Sequence, residues 1–221
     1  MKPLLTTLIF LFMAITAIGQ QDYPDSGFTN KAEAKNLMVN GMKDDKWIEY
    51  YNAIEHLGSY EEIKAKDTSA QFYALMVYKD GAPYGIERDY DKFDKHMKLT
   101  HYLNGKKNDV EYIYYESGKL HIETHYTNGV KNGVEKIHIE SGGLWSETPY
   151  INGKKDGLEV CYFVTGKLRS ETPYTGGLRN GTQKIYQEDG KTLYVEITFV
   201  NDKWNSSKTY DGKGNVIQKN K

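Results

Sequence analysis

Cysteine is nearly absent: Cys161 stands alone among 221 residues, so no intramolecular disulfide can form. It reads as a small apolar residue rather than a nucleophile. One Cys and six scattered His lack the paired spacing of a conventional zinc cluster, so neither a metal nor a cofactor is expected. Neither sign of charge prevails. The 29 basic and 30 acidic residues leave a net charge of -1, which argues against a nucleic-acid-binding protein. Only 38% of residues are hydrophobic, so a thick globular core is not expected. What is abundant is Tyr, at 19, and Gly, at 21, against 5 Pro. That many aromatics disfavours disorder, and Tyr with Gly suits a sheet with many tight turns.

The one long apolar run is N-terminal. Lys2 precedes an apolar stretch from Leu4 to Ile15, interrupted by Thr6 and Thr7, and Ala17-Ile18-Gly19 follows. This pattern predicts a signal peptide over residues 1–19, with Gln20 or Gln21 first after cleavage. The run is shorter than the roughly 20 residues a spanning helix needs. No Cys follows it to carry a lipid, so the mature chain is expected to be soluble and extracytoplasmic, periplasmic or secreted.

The rest repeats every 24 residues. Tyr78, Tyr102, Tyr126, Tyr150 and Tyr174 form one column, and Gly81, Gly105, Gly129, Gly153 and Gly177 form another. Gly85, Asp109, Gly133, Gly157 and Gly181 follow, then Tyr90, Tyr114, His138, Tyr162 and Tyr186, and Gly118, Gly142, Gly166 and Gly190 close the unit. Between the Gly positions lie two runs of about six residues, which read as strands. Glu116-Ser117-Gly118-Lys119 and its copies read as hairpin turns with a left-handed Gly, and the Asn-Gly-x-Lys-x-Gly stretch as the link between hairpins.

Strand parity places Leu120, Ile122 and Tyr126 on one face and Glu123 on the other, with Glu147 and Glu171 in later copies facing water. Ile113, Ile137, Cys161 and Ile185 form an apolar column opposite Tyr114, Tyr162 and Tyr186. Apolar groups on both faces predict an all-β fold: one elongated, twisted antiparallel sheet of repeated hairpins rather than a sandwich. The chain divides into a signal peptide (1–19), an N-terminal extension (20–36), a degenerate first repeat with an insertion (37–71), regular repeats (72–198) and a degenerate C-terminal repeat or cap (199–221). The insertion, roughly 52–71, reads as a loop with a short helix or strand.

Three constellations are candidates for function. Glu111, Glu135 and Glu159 recur one repeat apart, as do Glu123, Glu147 and Glu171. Carboxylates about 6.5–9.5 Å apart suit an inverting glycosidase. A regular row balanced by Lys and Arg lacks the one asymmetric, desolvated pair that such chemistry needs, so no catalytic residue is assigned. His101, His121, His125 and His138 read as occupants of repeat columns. Lys106, Lys107, Lys131, Lys154, Lys155 and Arg179 make a basic rim along one edge, suited either to anionic glycan or lipid or simply to protecting that edge. Tyr90, Tyr114, Tyr162 and Tyr186 make a stripe that packs the repeats and offers a partner surface.

The unit Tyr-x-x-Gly-x-x-x-Gly, a Tyr-containing strand and Glu-Ser-Gly-Lys-Leu resembles the bacterial variant of the MORN repeat. It is clearest at Tyr102–His125, Tyr126–Pro149 and Tyr150–Pro173 and extends over about residues 37–218. The resemblance implies hairpin ladders used for protein or lipid contact, without catalysis. Such proteins are also similar to YwqK-type antitoxins, which implies a toxin as partner, although a signal peptide departs from a cytoplasmic antitoxin. The expectation is therefore a non-enzymatic, extracytoplasmic protein-binding or scaffold module. Its alternatives are an antitoxin and an envelope protein contacting anionic glycan or lipid through the rim. An unpaired terminal strand would permit homodimerisation by edge pairing.

Overall fold

The computed structural model describes residues 28–56, 59–64 and 70–221, with the backbone alone for 52–56 and 59–64. The expected signal peptide, residues 20–27 and parts of the insertion lie outside these residues. One antiparallel sheet contains every strand, and it does not close on itself. The single-sheet expectation therefore holds.

At the N-terminal end are β1 (Leu37–Val39), β2 (Met42–His56), β3 (Ser59–Lys64) and β4 (Phe72–Lys79). Next come β5 (Ala82–Pro83), β6 (Gly85–Asp91), β7 (His96–Leu103) and β8 (Lys106–Tyr114). The middle is built of β9 (Leu120–Thr127), β10 (Val130–Lys131), β11 (Gly133–His138) and β12 (Leu144–Ile151). It continues through β13 (Lys154–Lys155), β14 (Gly157–Tyr162), β15 (Leu168–Thr175) and β16 (Leu178–Arg179). The C-terminal end holds β17 (Gly181–Tyr186), β18 (Leu193–Val200), β19 (Lys203–Tyr210) and β20 (Val216–Asn220). The insertion is largely strand: the second half of β2 pairs with β3, while its first half pairs with β4.

Both edges of the sheet are made of tight turns. On one edge, Gly118 donates its amide to the Tyr115 carbonyl and sits at φ +81°, the left-handed Gly expected of Glu-Ser-Gly-Lys. The Asn-Gly stretch, read from sequence as a link, is itself a two-residue hairpin. Thr127 pairs with Val130 across Asn128 (φ +51°) and Gly129 (φ +87°), two successive positive φ values that match the right-handed strand twist. These turns are bonded to one another. Gly129 donates to the Lys107 carbonyl and Gly153 to the Lys131 carbonyl, each one repeat back.

In the middle repeats the strand breaks just after such a turn at a glycine that lies against the previous strand, at Gly133, Gly157 and Gly181, whereas β8 runs unbroken through Asp109 (φ +69°) at that position. A Cβ on Gly157 would sit 2.9 Å from Pro149 Cγ, at φ +114°. A Cβ on Gly118 would meet nothing within 4 Å.

Register follows unbroken across the sheet. One row runs Ile48, Leu75, Arg88, Leu99, Tyr112, Glu123, Lys136, Glu147, Val160, Glu171, Lys184, Glu196, Lys208, Lys219. It passes from apolar to ionic along the ladder. On the opposite face the Ile113, Ile137, Cys161 and Ile185 column alternates with Ile122, Ser146 and Ser170.

A hydrophobic core exists at the N-terminal end. Phe28, from the segment before β1, packs fully buried against Tyr73 and Leu75, with Ala34, Ile48, Tyr50, Val77 and Tyr90 around them. Lys35 and Asn36 donate backbone amides to the Lys46 carbonyl and tie the segment to β2.

Leu75→Ala should cost about 2–5 kcal/mol, because the covering segment cannot collapse freely into the space. Gly157→Ala should cost about 1–3 kcal/mol, and more than Gly118→Ala, because steric overlap adds to the shared left-handed strain. Urea unfolding of the three variants checks both expectations.

Candidate binding surface

The column of Glu111, Glu135 and Glu159 differs from the solvent-facing row expected of it. Glu111 and Glu159 keep side-chain exposures of only 7 and 16%. Each is buried because long neighbours on its own face close over it. Thr100 donates to Glu111 at 3.1 Å, Lys107 forms an ion pair with it, and Tyr126 donates from 3.3 Å. Glu135 takes the same three partners: Thr124 at 3.1 Å, Lys131, and Tyr150 at 3.4 Å. Glu159 takes Thr148 at 3.1 Å and Lys155. Each lysine also lies over the next repeat's ring, with Nζ 5.0–5.2 Å from the centroids of Tyr126, Tyr150 and Tyr174. Thr124, Thr148 and Thr172 lie buried beneath.

The first repeat builds a related group from Lys43, Glu49 and Tyr78, with Trp47 at the glutamate position, Glu49 two residues further along, and Tyr78 donating at 2.7 Å. In the last regular copy all three residues change together, to Arg179, Gln183 and Phe199. Phe199 has no hydroxyl to donate, and Gln183 carries no charge to neutralise. Gln183 instead donates to Thr172 at 3.0 Å, and Arg179 lies 4.0 Å from the Phe199 ring centroid while pairing with Asp202. Beside the second copy, Lys98 pairs with the buried Asp89. Burial alone would lower its pKa, but Glu87 and Asp89 outweigh this and hold it raised.

The six residues of the expected basic rim therefore divide. Lys107, Lys131 and Lys155 turn onto the face and are held by Glu111, Glu135 and Glu159, and Arg179 is held by Asp202. Lys106 and Lys154 are exposed.

The four stripe tyrosines divide as well. Tyr90 stacks on Tyr73 at 5.0 Å, and His96 bridges Tyr90 to Tyr114 at 5.2 and 5.0 Å. Tyr162 and Tyr186 lie in the ladder's ionic half, donating to Glu147 at 2.9 Å and to Glu171 at 2.7 Å. Tyr210 repeats this bond to Glu196 at 2.6 Å. Burial and the bond to Glu171 push Tyr186 up to about 12.

His138 occupies this tyrosine column, and its Nε2 is buried without a hydrogen-bond partner. The remaining histidines are spread over several strands: His125 meets Glu123 at 3.1 Å, and His121 stacks on Tyr115 at 4.1 Å. Among the described residues no group of three or more His, Cys, Asp or Glu is placed to hold a metal ion.

The surface left open is the ionic half of the long row and what flanks it. Arg169 lies 4.5 Å over the Trp145 ring, and Tyr194 is 49% exposed. Parity on β12, β15 and β18 puts Trp145, Arg169 and Tyr194 on the face of Glu147, Glu171 and Glu196. The sequence reading missed Trp145, Arg169 and Tyr194. Their signal was available: each stands two residues before a glutamate of the second column.

Residues 110–128 match the family described as the MORN repeat variant. They begin at Val110 in β8, cross the Glu-Ser-Gly turn and β9, and end at Asn128 in the next turn, one full hairpin of the ladder. Together with the hairpin ladder, this match supports a repeat protein of MORN type. No curated protein matches the chain.

Replacing Glu135 by Ala should strand Lys131, Tyr150 and Thr124 and cost about 1–3 kcal/mol. The triple change Lys131→Arg, Glu135→Gln, Tyr150→Phe, which copies Arg179, Gln183 and Phe199, should recover most of that loss in urea unfolding. Alkaline pH should unfold the ladder cooperatively. Burial and acidic partners raise the pKa of Tyr78, Tyr102, Tyr126, Tyr150, Tyr162 and Tyr186. Below roughly pH 10 folded and unfolded chains both hold these protons, so stability is flat. Above it the unfolded chain releases them first, and stability falls as pH rises toward the folded values. Tyrosinate absorbance and circular dichroism should change in one step.

Proposed function

We propose that this chain is a non-enzymatic protein-binding module that works outside the cytoplasm and meets its partner through the ionic face. One observation carries the reading. Glu111 and Glu135 on the opposite face are each held by Lys, Thr and Tyr, whereas the row from Glu123 to Lys208 carries charges of both signs, interrupted by Val160, beside the exposed ring of Tyr194. Trp, Tyr and Arg, which stand here as Trp145, Tyr194 and Arg169, are the residues enriched at binding hot spots. The absence of catalysis is supported by the regularity of the rungs, since no glutamate among them is set apart as a lone acid or base. Export is supported by the charged, apolar and small-residue succession of residues 1–19.

Capture of proteins from the source organism's envelope by the mature chain tests the main reading. Lys184→Ala together with Tyr194→Ala should reduce recovery of the specific partner about tenfold or more, with the β-sheet circular dichroism unchanged. Equal recovery would move the interface off this face. The partner's identity and stoichiometry then separate a scaffold from an inhibitor: a toxin held tightly at 1:1 would favour neutralisation. N-terminal sequencing of the exported protein should give Gln20 or Gln21, and an intact Met1 would refute export by cleavage.

A further inference from the structure

From β9 onward the second strand of each repeat places an acid in the long row, at Glu123, Glu147, Glu171 and Glu196. β20 is the corresponding strand of the last repeat, and the register puts Lys219 there, directly opposite Lys208. The row thus ends on two successive lysines. Lys208 is answered from behind by Glu196 at 3.3 Å. Lys219 has no acidic residue paired with it among the described residues.

The reversal falls on an open strand. Among the described residues β20 pairs with β19 alone, and all five of its residues are exposed. Ile217 shares the Lys219 face and is 65% exposed. β20 contains no proline, and its one register shift leaves Ile217 without a partner on β19 between Val216 and Gln218. The opposite end of the sheet differs, because β1 and β3 both pair along the outer side of β2.

A second copy fits this edge poorly. Antiparallel self-pairing centred on Lys219 sets lysine against lysine. Centred on Gln218, it sets Lys219 against Ile217. Neither places an acid beside Lys219, and like charges directly opposite are destabilising.

We propose that β20 is a strand-addition site for an extended segment of a different protein. That segment carries Asp or Glu opposite Lys219 and, two residues along on the same face, an apolar side chain opposite Ile217. Backbone hydrogen bonds would supply the affinity, and these two side chains the register. The site is separate from the face proposed above, and its test does not depend on that reading.

The probes are two fluorescein-labelled peptides of alternating Thr and Val, one with a central Val replaced by Glu and the other with the same Val replaced by Lys. Titrated with the mature chain at low salt, the Glu peptide should bind about threefold or more tighter than the Lys peptide. Lys219→Glu, a change at an exposed position, should invert the preference. Equal binding of the two peptides, no binding of either up to about 1 mM, or a preference that survives Lys219→Glu would overturn the proposal and leave Lys219 as simple edge protection. Light scattering of the free chain should give a monomer mass. A dimer abolished by Lys219→Glu would assign the edge to a second copy instead.

Discussion

A single sheet has no second layer to cover it, and nearly everything in this ladder follows from that. Burial has to be produced by side chains of the same face, so the covering groups must be long, apolar along their length and polar at the tip. Lysine and tyrosine meet that requirement. Once they lie flat, their polar ends converge over the middle of the strand and need an acceptor there, which the glutamate supplies. Threonine fits beneath because it is small, favours strands and donates a hydroxyl. The rung of Lys, Glu, Tyr and Thr is therefore a substitute for a core. Three of its parts change together at Arg179, Gln183 and Phe199, whereas in the second copy Pro83 replaces the lysine and Glu87 and Tyr102 are kept.

Turn geometry fixes the spacing on which the rungs depend. Each Asn-Gly pair forces a tight reversal, and the amide of its Gly reaches the carbonyl one repeat back. The glycines after the turns let the strand pass close to a Pro or His of its neighbour. A rung made from residues 19 apart, such as Lys131 and Tyr150, depends on the two-residue turn, while the glycine position also accepts Asp109 (φ +69°) beside the Glu111 rung.

Much of the fold was legible because the columns are periodic and turn chemistry is local. The all-β class, the single sheet, the left-handed Gly of the Glu-Ser-Gly turn and the apolar Ile column could all be read from residue spacing. Two things were not. The Asn-Gly stretch looked like a connection because its second strand is only two residues long before the next glycine break, too short to show alternation. Glu111 and Glu135 looked solvated because a charged residue at alternate positions ordinarily is. Nothing in the order of residues states that a Lys four places earlier and a Tyr fifteen places later will close over it. Of the candidate surface, Tyr162 and Tyr186 were visible as a column of one residue type, while Trp145, Arg169 and Tyr194 differ in type from copy to copy and share only their place two residues before Glu147, Glu171 and Glu196.

The last regular repeat contains an extra residue. Where Phe163 closes its turn on Lys167, Gln187 closes on Thr192, one position later. Register recovers at once, with Ile185 opposite Val195 and Phe199 still meeting Arg179. The two edges of the ladder thus have different freedoms. The Asn-Gly edge is chained from turn to turn, so its length is common to all copies. The Glu-Ser-Gly edge is linked from turn to turn by side chains alone, such as Lys119 to the Glu140 carbonyl, so its loops can vary in length while the sheet behind them keeps its order. In the history of such a protein, new contacts could arise one loop at a time along that margin, without renegotiating the rungs that hold the repeats together.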